Sequence, residues 1–183
     1  KMFIATGRAM NELNIITDMI SFDGYITLNG QVCLNEDFEV FYGNPIPLKD
    51  LNVLVELFSE KKLPVVMVEK DKYYINYMNE EVIAIQNEIG VDSHEIEPYA
   101  GNPIYQVIVY ADLQMTEKLF EKLPDCKWSR WHPKGIDVFS KNGGKMTGIE
   151  KTLEYFGISQ DETMAFGDGD NDVDMLELVD LSV

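Results

Sequence analysis

Positive charge is scarce in this chain. Against 32 Asp and Glu it carries 15 Lys and Arg, a formal net charge of −17, and its only arginines are Arg8 and Arg130. Nucleic-acid binding needs cationic side chains to replace phosphate counterions, so this balance speaks against it. Anionic membrane surfaces are disfavoured for the same reason. Cysteine is nearly absent. Cys33 and Cys126 form no CxxC, so neither a disulfide framework nor a zinc site is indicated, and two isolated thiols fit a reducing cytoplasm. No apolar run approaches the ~20 residues that span a bilayer. The opening KMFIATGR turns polar too soon for a signal peptide. What is present is globular material: 183 residues, 45% apolar and 11% aromatic. That suffices for one domain or for a small core carrying an inserted module.

The pattern of elements changes twice along the chain. Met2 to Ala5 reads as the end of a buried strand, followed by Thr6-Gly7-Arg8 and a helix over Ala9 to Ile20 with Leu13, Ile16 and Ile20 inward. Tyr25 to Leu28 is a short strand, and Asn29-Gly30 a hairpin turn, since a type I′ turn needs positive φ at both central positions. Val32 to Leu34 and Val40 to Tyr42 follow as strands. Asn44-Pro45-Ile46-Pro47 is a break. From there strands come in pairs with helices between them: helices over Leu48 to Lys61, Glu81 to Ile89 and Thr116 to Leu123 (capped by Thr116 or Asp112), and strands over Pro64 to Glu69, Tyr73 to Tyr77, Tyr105 to Tyr110, Cys126 to Trp131 and Gly135 to Phe139. That is the grammar of an α+β unit on an antiparallel sheet. After Asn142-Gly143-Gly144 a helix closed by Gly157, a buried strand over Glu162 to Phe166, an acidic loop and a last helix restore the α/β pattern. The fold class expected is therefore α/β, a parallel-sheet core from 1–44 and 141–183 with an α+β cap inserted at 45–140.

The acidic loop Gly167-Asp168-Gly169-Asp170-Asn171-Asp172 comes directly off the last buried strand. The carboxyl edge of a sheet is where open α/β folds place ligands. Crowded carboxylates repel one another, and a hard divalent cation such as Mg²⁺ relieves the repulsion. A calcium loop is excluded, because Val173 stands where the turn glycine is required and Val179 where the bidentate glutamate belongs. Lys145 follows two glycines at the start of a helix, where a phosphate would meet a cation, backbone amides and a helix dipole. Thr6-Gly7-Arg8 sits where a strand passes into a helix, so a hydroxyl and amides could bind phosphate oxygens there. Trp128-Ser129-Arg130-Trp131-His132 offers indole faces and a forked guanidinium, which suit a sugar or polyol ring. Strand alternation equally allows one core-facing indole and a charged edge. His94 reads as a surface residue.

Taken together, FIATGR, Lys145 and AFGDGDNDVDML resemble the haloacid dehalogenase superfamily of aspartyl phosphatases, specifically the Cof-like sugar-phosphate phosphatases with a large α/β cap, type IIB. The resemblance covers essentially the whole chain. FIATGR looks like the second family motif, KMTGI like the third with Met146 in place of its glycine, and GDGDND like the fourth. It implies phosphate binding by Thr6, Gly7, Arg8, Lys145 and Asn171, Mg²⁺ at Asp168 and Asp172, and catalytic roles for Lys145, Asp168 and Asp172. Arg130 and Trp131 are the candidates for contacting the leaving group. The family nucleophile, the first Asp of a DxD on the sheet's first strand, would precede Lys1. Phe22-Asp23-Gly24 imitates the tail of that motif with Ser21 at the nucleophile's position, and Asp168-Gly169-Asp170 already matches the fourth motif. A further strand, loop and helix are expected upstream and more core elements after Val183, so the stretch alone is not expected to turn over.

The implied activity is Mg²⁺-dependent hydrolysis of small phosphorylated metabolites, sugar phosphates first among them, through an aspartyl-phosphate. A catalytically silent relative that only binds a phosphorylated ligand or a protein partner is the alternative. The expected setting is cytoplasmic, as a monomer or weak homodimer, with neither nucleic acid nor membrane as partner.

Overall fold

In the computed structural model, residues 1–91, 94–169 and 172–183 are described. In chain order the elements are β1 (Phe3–Ala5), α1 (Asn14–Thr17), β2 (Gly24–Thr27), β3 (Val32–Asn35), β4 (Val40–Gly43), α2 (Leu48–Glu60), β5 (Val65–Val68), β6 (Tyr73–Ile75), α3 (Glu80–Ile89), β7 (Glu95–Ile96) and β8 (Gln106–Val109). They continue with α4 (Leu113–Phe120), β9 (Cys126–His132), β10 (Gly135–Ser140), α5 (Lys145–Phe156), β11 (Met164–Ala165), α6 (Val173–Leu178) and β12 (Leu181–Ser182). The chain divides into two compact units, Lys1–Asn44 with Ser140–Val183, and Pro45–Phe139.

In the first unit β1 runs parallel to β2, pairing Ile4 with Tyr25, and β3 and β4 add antiparallel strands in the order β1-β2-β3-β4. β11 and β12 form a separate parallel pair. Ile26 and Cys33 on the sheet meet Ile149 of α5 and Met175 of α6 in a small buried core, with Leu153, Ala165 and Leu176 around it. The hairpin between β2 and β3 turns through Leu28–Gly30, where Leu28, Asn29 and Gly30 all have positive φ (51°, 54° and 80°). Positive φ at Asn29 and Gly30 is what the dipeptide favours. The loop is longer than the two-residue turn expected, and Leu28 shares the left-handed conformation.

The second unit is a six-stranded mixed sheet in the order β7-β6-β5-β8-β10-β9. All four residues of β5 are buried, so both faces of its central strand are covered. Leu51, Leu54 and Phe58 of α2 pack with Val65, Met67, Val107, Val109, Ile136 and Val138 in its main core. Asn79 caps α3 through Val82 N, and Gly90 ends it at φ 67°. Asp112, of the two candidates, caps α4 through Met115 N at 2.8 Å. Thr116 lies inside that helix and donates back to Asp112 O.

Two local expectations fail. The helix read over Ala9 to Ile20 is a 3₁₀ turn at Met10–Glu12 followed by the four-residue α1, with Leu13 between them at φ −97°, ψ 0°. No side chain caps either piece, and helices this short gain little without a packed face. Ile16 and Ile20 are accordingly exposed, while Leu13 is buried. The strand expected over Glu162 to Phe166 contracts to β11, because Gln160–Glu162 form a 3₁₀ turn closed by a Ser159–Glu162 capping box. Met164 and Phe166 are 55% and 68% exposed rather than buried.

Candidate active site

The hairpin turn at Leu28–Gly30 organises one side of the site. Leu28 N donates to Arg8 O at 3.0 Å, and Asn29 N to Thr6 O at 2.9 Å. The Thr6-Gly7-Arg8 loop leaving β1 is thereby stitched to the turn. Arg8 N also donates to Thr6 Oγ1 at 3.2 Å, which orients the hydroxyl. Arg8 itself is exposed. A β carbon on Gly7 would press to 3.2 Å from the Asn29 side-chain amide.

The same turn touches the start of α5. A β carbon on Gly30 would lie 2.1 Å from Gly144 O, and one on Gly148 would lie 2.6 Å from Ile26 Cγ2 and 2.9 Å from Gly30 Cα. Only glycines permit these approaches. An interior helical glycine costs about 1 kcal/mol of helix propensity, so Gly148 marks a close crossing rather than a good helix former. The result is that one turn carries the Thr6 loop on one side and the Lys145 helix start on the other.

Lys145, the first residue of α5, is only 6% exposed. Its Nζ lies 2.5 Å from Asp172 Oδ1. Asp172 precedes α6, yet its side chain turns away from that helix. Its Oδ2 accepts from the amides of Asp168 at 3.3 Å and Gly169 at 3.2 Å, while its own N donates to Gly169 O at 2.9 Å. A β carbon on Gly167 would fall 2.6 Å from Asp172 Cβ. Gly167, Asp168 and Gly169 thus lie against the Asp172 carboxylate. Burial pushes its pKa up, but the Lys145 ammonium and the two amides outweigh burial and hold it below the ordinary 3.8. The carboxylate is ionised at neutral pH and answers a buried cation, which on its own would be costly. Asp168 stands exposed on the same loop. Asn171, expected to bind phosphate, and Asp170 lie outside the described residues. Among the described residues no three His, Cys, Asp or Glu side chains converge on a common point.

Arg130 and Trp131 have other employment in the structure. Arg130 Nη1 donates to the carbonyls of Ala111, His132 and Pro133 (3.2, 3.3 and 2.9 Å), Nη2 donates to Thr116 Oγ1 at 2.8 Å, and the guanidinium lies 5.4 Å from the Trp128 ring centre. It pins α4 to the turn between β9 and β10. Trp131 Nε1 donates to Asp137 Oδ1 at 3.0 Å, and its ring lies over Gly135. These are contacts that hold the second unit together. His94 is half-buried and stacks on Tyr73 at 5.2 Å, so it is more than a surface residue.

Sequence reading treated Asn29 and Gly30 only as a turn and passed over Gln31 and Gly148. The spacing of Gly143, Gly144 and Gly148 around a helix start was the available signal, since glycine inside a helix asks for a reason.

The first unit is a Rossmann-like α/β core whose loops gather a hydroxyl, an ammonium and carboxylates, and its chain is interrupted by an α+β unit. That combination defines a class of hydrolases with an inserted cap. The chain belongs to the haloacid dehalogenase-like hydrolases: the family's model matches residues 1–183. It is 30% identical over 185 aligned residues to YkrA of Bacillus subtilis (strain 168), covering 100% of this chain and 71% of that protein. The solved structure of the HAD subclass IIB sugar phosphatase BT4131 superposes with a TM-score of 0.87 at 31% identity, covering 100% of this chain and 72% of that one. BT1666 from Bacteroides thetaiotaomicron, studied among the phosphatases of that superfamily, gives a TM-score of 0.87 at 29% identity over 98% of this chain and 68% of its own. The protein is a phosphatase-type hydrolase of the Cof-like, type IIB branch.

Proposed function

We propose that the protein hydrolyses phosphate monoesters of small metabolites, sugar phosphates foremost, with Mg²⁺ as cofactor and through an aspartyl-phosphate that carries the phosphoryl group between two half-reactions. The observation that carries this reading is the buried Lys145 ammonium, locked to Asp172 and attached through Gly30 to the turn that also holds the Thr6 loop. Phosphoryl transfer asks the protein chiefly for position and for fixed charge around the equatorial oxygens. Lys145 supplies the charge from this chain, and the Thr6 hydroxyl, oriented by the Arg8 amide, supplies a donor on the Thr6-Gly7-Arg8 loop. Asp172 aims the lysine and shapes the loop segment that presents Asp168.

The residues fit a divalent cation of the Mg²⁺ kind, which takes one or two carboxylates and keeps waters and phosphate oxygens for its other positions. Asp168 is exposed and would hold it. Asp172, with both oxygens already accepting from donors, would support the site from beside it. Such an ion, when bound, supplies positive charge to the phosphoryl oxygens. The second unit, residues 45–139, we assign to the choice of leaving group, and the 88 remaining residues to the chemistry common to all substrates. Among the described residues no helix is long and apolar enough to cross a membrane. We place the enzyme in the cytoplasm as a monomer or weak homodimer acting on free metabolites, a reading in which the net charge of −17 disfavours nucleic acid and anionic membranes as partners.

The test is turnover of a panel of sugar phosphates and p-nitrophenyl phosphate by the full-length protein, with and without Mg²⁺, alongside calorimetry of Mg²⁺ binding to Asp168→Ala. Turnover that needs Mg²⁺, and lost affinity in the variant, are expected. A folded protein that binds phosphorylated ligands and hydrolyses none would be a binding protein instead.

A further inference from the structure

Gln31 is fully buried at the end of the turn between β2 and β3, outside the Thr6, Lys145 and Asp172 group. A buried amide must find partners, and this one finds them in two segments distant in sequence. The Gln31 backbone carbonyl accepts from Asn44 N at 2.8 Å and brings the side chain beside that residue. In the side-chain orientation that satisfies both ends of the amide, its nitrogen donates to Asn44 O at 3.1 Å and its oxygen accepts from Gly144 N at 3.1 Å. Gly143 leaves the amide its space, since a β carbon there would stand 2.2 Å from it. Asn44 is the last residue before the chain enters the second unit, and Gly143 and Gly144 follow shortly after it returns at Ser140. One side chain therefore fastens the outgoing segment, the returning segment and the residue immediately before Lys145.

We propose that Gln31 is a positioning residue for Lys145: its amide selects the backbone geometry of Gly144 and so sets where α5 begins. Gly144 sits at φ 131°, ψ 164°, a conformation reserved for glycine, and glycine alone has many others open to it. Its geometry has to be chosen by contacts, and the Gln31 amide and the Gly30 backbone meet it from outside the helix. The catalytic consequence rests on the phosphatase reading; the fastening does not.

The experiment uses the full-length protein with Gln31→Met, which has similar length and no hydrogen bonds, and Gln31→Glu, which keeps an acceptor for Gly144 N–H. Amide hydrogen exchange is followed at Gly144 and, as a control, in α2. With one hydrogen bond removed, Gln31→Met should exchange Gly144 about tenfold faster with α2 unchanged. Its kcat should fall about tenfold on every ester alike, with KM moving less than roughly threefold. Gln31→Glu should recover most of both. Gln31→Asn, one methylene too short to reach, gives the same reading where Gln31→Met does not fold. Unchanged exchange at Gly144, or faster exchange with unchanged kcat, overturns the proposal. A wild-type protein inert toward every ester would sink the phosphatase reading, and the exchange at Gly144 would still decide the role of Gln31.

Discussion

The two units are held together by different means. The second buries a broad apolar core on its main sheet face, and even its conspicuous polar residues, Arg130 and Asp50, are spent inside it: Asp50 accepts from Asp125 N at 2.8 Å. Among the described residues the first gathers Ile26, Cys33, Ile149 and Met175 in one small cluster and buries Leu13, Leu28, Val32 and Leu34 beside the turn and sheet. It relies on glycine-permitted close approaches and one buried ion pair. Area-based cohesion tolerates a change at any single contact, because the loss is spread over many neighbours. Cohesion built from a few short contacts does not, and those contacts are where the candidate chemistry sits.

The sharpest way to break this comparison is Lys145→Ala. It removes the cation from a charge-dense site and leaves Asp172 buried without its ammonium partner. Turnover of every ester should fall by roughly 10²–10⁴, several kcal/mol of transition-state stabilisation. A loss below about tenfold on the whole panel would return Lys145 to an ordinary ion-paired lysine. Thr6→Val should cost less, about 1.5–3 kcal/mol for one charge-assisted hydrogen bond, again uniformly across substrates.

Arg130→Ala probes the other unit. It strips three carbonyls and the Thr116 hydroxyl of a common donor, so stability should fall by about 2–4 kcal/mol. Thermal unfolding reads this directly. The order of preference among sugar phosphates should stay the same. A reordered preference with unchanged Tm would restore the sugar-contact role expected from the sequence.

Glycine substitutions sharpen the contrast further. Gly148→Ala drives a β carbon into Ile26 and Gly30 and should cost about 1–3 kcal/mol through overpacking, with reduced turnover because α5 carries Lys145. Gly90→Ala meets nothing within 4 Å and suffers only from φ 67°, about 1 kcal/mol. Denaturant titration of the two should rank them in that order, and equal effects would undercut the close crossing of α5 over the turn.

The last effect is comparably small and appears only in alkali. Burial pushes the Cys33 thiol up from 9.0 to about 12, the Thr152 hydroxyl offsetting part of it. Folding therefore holds its proton more tightly than the unfolded chain does. This contribution is complete below pH 9 and is lost as pH rises toward 12, about 1.4 kcal/mol by pH 10. Unfolding curves at pH 8 and pH 10 for wild type and Cys33→Ala read it by difference, with the repulsion between the Cys33 thiolate and Tyr42 removed along with the thiol. The pH-dependent loss should be smaller in the variant by that amount. Identical slopes would mean that the thiol is not shielded.

Much of the architecture could be read locally. Gly90 and Gly157 end helices at φ 67° and 65°, as a glycine after a run of inward apolar positions announces. The hairpin at Asn29-Gly30 and the strands β5, β6 and β8 follow from turn chemistry and alternation. The helix after Arg8 misled because apolar spacing at Leu13, Ile16 and Ile20 promises a buried face, and only Leu13 has a surface to meet. The acidic loop and Lys145 stood out by residue type, whereas Arg130 stood out by rarity, and rarity carries no information about partners.

What the sequence determined by itself is therefore the order and type of most elements, the three motif segments and the membership they imply, because these depend on neighbours within a few positions. Only the tertiary structure decided that Lys145 meets Asp172 across 27 positions, that Arg130 serves its own unit, and that Gln31 gathers Asn44 and Gly144. Those outcomes hang on close packing between distant segments, where a missing β carbon or a single buried amide sets the geometry, and no local pattern in the chain encodes which segment will arrive.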